Sequence, residues 1–95
     1  AVRRAQAAPL RRHERLAREA LEHVLEVHGL ADVNADARVT RHEDILRVEL
    51  RPDAPVAKDV ADIAAVRAVA AIRGLDQQSR VINVVVEPST AADFN

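Results

Sequence analysis

The chain has 95 residues, 48% of them hydrophobic and 31% charged, with a formal net charge of −1. That composition is one globular domain with a modest core, too short for two domains and too apolar for disorder. No cysteine and a single aromatic residue, Phe94, exclude disulfide frameworks, thiolate metal sites, cysteine nucleophiles and an aromatic platform for stacked bases.

No apolar run approaches the ~20 residues of a membrane-spanning helix, and no signal-peptide pattern is present. The near-neutral charge argues against a nucleic-acid binder that uses its whole surface. Thirteen of the fourteen basic residues are Arg, Lys58 being the exception, so Arg alone is weak evidence for a phosphate site. Methionine is absent even at position 1, as expected of a processed chain or an excised piece.

Residues 1–9, rich in Ala and Arg and ending at Pro9, read as a loose basic leader before a single domain over 10–88. From Leu10 to Val27 the apolar residues Leu16, Ala17, Ala20, Leu21, Val24, Leu25 and Val27 recur at helical spacing, and Gly29 is the expected stop. Val33, Ala35, Ala37 and Val39 then alternate with polar residues, as do Leu46, Val48 and Leu50. This is the period of two half-buried strands joined by a hairpin loop at Arg41-His42-Glu43-Asp44. Pro55 suits the first turn of a second helix, Val56–Arg73, closed by Gly74, with Val56, Val60, Ile63, Val66, Val69 and Ile72 on a wide apolar face. Val81 to Val86 is a β-branched strand, and residues 89–95 read as a flexible tail.

The element order is αββαβ. A right-handed crossover through the second helix makes the third strand parallel to the second, and the simplest sheet then has the first strand at its centre, order 2-1-3. The expected fold is α+β: a two-layer, ferredoxin-like αββαβ sandwich, a three-stranded mixed sheet with both helices on one face.

Little in the chain points to catalysis. Of the four histidines, His23 and His28 lie about 140° apart around a helix, and none falls in a metal-binding motif. His13 and His23 read as surface groups. His28 and His42 are weak candidates for a divalent site (Zn or Mn) completed by a carboxylate between two chains. Asp59 and Asp62, and Glu19, Glu22 and Glu26, read as solvated helix faces. Ser79 and Ser89 lack a nucleophile motif, and with only Gly29 and Gly74 there is no phosphate loop.

Two features point to partners instead. Arg3, Arg4, Arg11, Arg12, Arg15 and Arg18 stand against one Glu14, and positive charge at a helix start opposes the helix dipole. A position beside a membrane span or an anionic membrane surface accounts for such a block. Nucleic-acid contact is the alternative, requiring Arg11, Arg12, Arg38, Arg47 and Arg51 to form one stripe. Val81 and Val85 fall on the nominal solvent face of the sheet, and the second helix is apolar on more than one side. Both suggest a homodimer with Val66, Val69, Val81 and Val85 at its interface.

Gly29-Leu30-Ala31-Asp32-Val33, Asp53-Ala54-Pro55-Val56 and Val84-Val85-Val86-Glu87-Pro88, set in this element order from about Leu16 to Pro88, resemble the cytoplasmic C-terminal domain of cation diffusion facilitator transporters. The resemblance implies dimerisation and divalent-cation sensing. Asn34 and Val85 stand where that family's histidines are expected, so its metal ligands do not carry over. Ala54-Pro55-Val56-Ala57 and the approach to the hairpin are also similar to the alkaline shock protein family, which is envelope-associated, without established catalysis, and usually opens with an extra strand. Both resemblances imply a bacterial, non-catalytic, self-associating cytoplasmic domain, a regulatory or scaffolding module of a membrane-associated system. An RNA- or DNA-binding αββαβ module using an Arg-rich face is the alternative.

Overall fold

The computed structural model of this chain describes residues 10–88. The leader expected over 1–9, with Arg3 and Arg4, and the tail expected over 89–95 lie outside the described residues. Helix α1 (Arg11–Val27) is followed by β1 (Ala35–His42), β2 (Ile45–Pro52), helix α2 (Lys58–Leu75) and β3 (Val81–Val86). The expected αββαβ order is the observed one.

Helix α1 buries Ala17, Leu21, Val24 and Leu25, a single stripe at helical spacing. It stops where a glycine is needed: Gly29 has φ +76°, its N–H donates to the Glu26 carbonyl at 3.1 Å, and the Leu30 N–H reaches back to Leu25 at 2.7 Å. That is a Schellman closure, which satisfies carbonyls the helix end would otherwise leave free. The hairpin is tighter than expected. Arg41 and His42 belong to β1, the loop shrinks to Glu43-Asp44, and Glu43 takes the left-handed φ of 60° that a two-residue turn demands.

Strand β2 lies at the centre of the sheet, antiparallel to β1 and parallel to β3, so the order is β1-β2-β3 and not 2-1-3. Leu46, Val48 and Leu50 of β2 are wholly buried, whereas β1 offers only Ala35, Ala37 and Val39 to the same face. The strand with the larger apolar side chains occupies the middle, where both neighbours and both helices cover it. The crossover through α2 then lays β3 directly beside its parallel partner.

Helix α2 also departs from expectation. It begins at Lys58, two residues late, because Val56 is held in extended backbone whose N–H donates to the Pro88 carbonyl at 3.4 Å. It runs through Gly74 and ends before Asp76. Its core-facing side is Val60, Ala61, Ala64, Ala68 and Ile72, so small residues let it close tightly on α1 and the sheet. Ile63 and Val66, part of the wide apolar face expected of this helix, lie off its core side and are 41% and 68% exposed.

Leu46→Ala should lower the free energy of unfolding by about 2–5 kcal/mol, whereas Val27→Ala, at an exposed helix end, should change it by about 0.5 kcal/mol or less. Urea unfolding followed by circular dichroism measures both.

Candidate functional site

Two surfaces of the molecule depart from a plain solvated exterior. The first is a cleft of about 700 Å³ at the end where α1 begins and α2 finishes, lined by Arg11, Arg12, His13, Arg41, Asp76 and their neighbours. Asp76, 7% exposed, is its organising residue. One carboxylate oxygen accepts the Gln78 and Ser79 amides at 3.0 and 3.1 Å, the Asx turn that ends α2. The other accepts from His13 Nε2 at 3.0 Å, from the Ser79 hydroxyl at 3.1 Å and from the Arg41 guanidinium. Arg41 arrives there because it continues the inward-facing series Ala35, Ala37, Val39 past the edge of the core.

Burial pushes the Asp76 carboxyl up, but the hydrogen bonds from His13, Ser79 and Gln78 outweigh it and hold the group well below the usual carboxylate range. The cluster is a clasp tying α1, β1 and the α2–β3 turn together. Ser79 and His13 both donate to the same Asp76 oxygen instead of to each other, so they do not form the serine–imidazole contact an activated nucleophile needs. Sequence reasoning passed over Asp76 and Arg41. The available signal was Asp76-Gln77-Gln78-Ser79 directly after a helix, the composition of a side-chain-capped turn.

The second surface surrounds the outer edge of β3. Val81, Asn83 and Val85 lie on the sheet face away from the helices, beside Ile45, Arg47 and Glu49 of β2, as their alternation predicts. Glu49 accepts from Arg47 Nε at 3.1 Å and Arg51 Nη2 at 2.9 Å, and the Arg47 bond first, with the bond and charge of Arg51, draws its carboxyl below the ordinary value against the opposing effect of burial. On the helix layer, Arg73 donates to the carbonyls of Ser79 and Arg80, so this flank of α2 overlooks the start of β3. Val69 and Val66 stand one and two turns earlier on the same flank. Of the four residues expected at an interface, Val81 and Val85 thus stand on the open face of the edge strand, while Val66 is exposed and Val69 half-buried in the helix layer.

The other expected residues do not converge. Arg38, Arg47 and Arg51 lie on the open sheet face, while Arg11 and Arg12 line the cleft at the end of the helix layer, so the proposed nucleic-acid stripe does not form. Arg15 is exposed on α1 and makes no ion pair among the described residues. His28 closes α1 with its ring on the Val24 carbonyl at 2.9 Å, whereas His42 ends β1 beside Arg41, at the cleft end. The length of α1, about 26 Å, separates the two within one chain. Among the described residues no group of three or more His, Cys, Asp or Glu is placed to hold a metal ion, and no helix is long and apolar enough to cross a membrane. No family model, curated protein or solved structure matches this chain.

The folded-state carboxyl of Asp76 ionises more readily than its unfolded counterpart, so its contribution is complete above the usual aspartate value near 4 and is lost as pH falls below it. Asp76→Asn should cost about 1–3 kcal/mol at neutral pH and flatten the acid limb of stability. Thermal melts of both proteins between pH 2 and 7 measure the difference.

Proposed function

We propose that this chain is a non-catalytic interaction domain whose working state is a homodimer, a scaffolding or regulatory piece that acts by joining two copies. One observation carries the reading. Large apolar residues are left in solvent on both layers: Val66 is 68% exposed and Ile63 41% on the outer side of α2, and Val81 is 42% exposed on the open face of the sheet. Val27, 66% exposed at the far end of α1, is an isolated residue of the kind any surface carries.

The packing of α2 supports the same reading. A helix stabilised only within its own domain gains most by turning its branched side chains inward and its alanines outward. Helix α2 does the reverse over much of its length, burying Ala61, Ala64 and Ala68 while presenting Ile63 and Val66. The alanines allow close packing inside, and the branched residues are left for a second surface. The saturated state of Asp76 supports the absence of a reaction at the cleft, since its oxygens are already committed to five donors from within the chain.

Size-exclusion chromatography with light scattering across nanomolar to high micromolar protein tests the reading. The expected result is a concentration-dependent rise from the 10.4 kDa chain mass towards twice that value. A constant 10.4 kDa species at every concentration contradicts it.

A further inference from the structure

The two edges of the sheet are unlike each other, and the difference identifies where the second copy joins. In β1 the residues that pair closely with β2 alternate with residues whose backbone faces outward. Two of those outward amides are already occupied by carboxylates: Ala37 N–H donates to Asp36 at 2.9 Å, and Val39 N–H donates to Glu14 of α1 at 3.1 Å. The strand also carries Asp36, Arg38, Arg41 and His42. Charges and side-chain caps of this kind keep an edge from pairing with another strand.

Over Ile82 to Val86 strand β3 has neither protection; one step beyond, the outward Pro88 carbonyl accepts the Val56 N–H. Its sequence, Val-Ile-Asn-Val-Val-Val, contains no charge. The Glu87 N–H donates to the Leu50 carbonyl at 3.0 Å, and by the alternation of a parallel ladder Val81, Asn83 and Val85 direct their backbone groups to β2. The backbone groups of Ile82, Val84 and Val86 therefore face outward, with no partner among the described residues. Such an edge takes a strand, and a neutral strand meets its own copy without the like-charge repulsion that β1 would suffer.

Resting on the self-association proposed above, we infer that β3 pairs antiparallel with β3 of a second copy about a two-fold axis at Asn83, extending the sheet across the dimer. The register follows from two constraints. Residues opposite one another must point to the same face, which places the axis on a residue and not between two. An axis at Asn83 lets Ile82 and Val84 exchange hydrogen bonds with Val84 and Ile82 of the copy, using outward groups on both sides. It also sets Val81 opposite Val85 of the copy on the open face. The neighbouring axis, at Val84, would instead set Val81 against Glu87 and Val85 against Asn83.

Cysteine scanning reads the register directly, because the chain contains no cysteine of its own. Asn83 would occupy a non-hydrogen-bonded antiparallel pair with α-carbons about 4.5 Å apart, within disulfide range. Asn83→Cys in the full chain should give a covalent dimer under mild oxidation, whereas Arg38→Cys, on the open face of β1, should not. A charge-pair test checks the same register without crosslinking. Val81→Glu/Val85→Lys places opposite charges across the axis and Val81→Lys/Val85→Lys places like charges there. The first should dimerise roughly tenfold or more tightly than the second, with thermal melts verifying that both are folded. A dimer by light scattering with no N83C disulfide and equal dimerisation of the two charge variants would overturn this edge pairing and leave the self-association reading standing. A monomer at all concentrations would overturn both.

Discussion

Leu46, Val48 and Leu50 of β2 are each fully buried, and placing them in the middle of the sheet determines every surface the molecule has left. A strand this apolar needs neighbours on both edges and cover on one face. The hairpin supplies β1 on one side, and the crossover through α2 supplies β3 on the other. With β2 enclosed, the described residues leave two edges: β1, charged and capped by carboxylates, and β3, uncharged from Val81 to Val86 and met by the Val56 N–H at Pro88.

The polar parts of the structure serve this arrangement. Asn34 and Asp53 clasp the open end of the hairpin, with the Asn34 side-chain amide donating to Asp53 at 3.1 Å and the Asp53 N–H donating to the Asn34 carbonyl at 2.9 Å. Asp76 closes the opposite end by gathering His13, Arg41 and Ser79. A small core lacking large aromatic side chains gains stability from such terminal clasps, because each fixes two or three elements through charge-assisted hydrogen bonds. The same clasps consume the groups that would otherwise suggest a reactive centre.

The elements themselves were legible in the amino-acid sequence because each has one dominant period. The stripe of α1, the alternation of β1 and β2 and the β-branched run of β3 admit few other conformations. Strand order was not legible from alternation alone. It depends on the relative size of the residues in the two alternating segments, Leu46, Val48 and Leu50 against Ala35, Ala37 and Val39, a comparison that period-two reasoning ignores. Which part of the wide apolar face of α2 is core is not legible for a related reason: hydrophobicity ranks Ile63 and Val66 with Val60 and Ile72, whereas close packing buries Ala61, Ala64 and Ala68. The Asp76 clasp was hidden because its members are spread over 13, 41, 76 and 79, and only the Asx turn left a local trace. Val81 and Val85 were recognisable as misplaced apolar residues, since an alternating strand declares which side chains leave the core.

The outward groups of Ile82 and Val84 are where a second copy, as proposed above, would pair with β3. Amide hydrogen exchange at Ile82 and Val84, followed by NMR on the full chain from low to high micromolar concentration, addresses this pairing most directly. Both amides face away from β2 and have no partner among the described residues of one chain. The account predicts that their protection rises with concentration while that of Val48, already bonded within the sheet, stays constant. Fast, concentration-independent exchange at Ile82 and Val84 would contradict it.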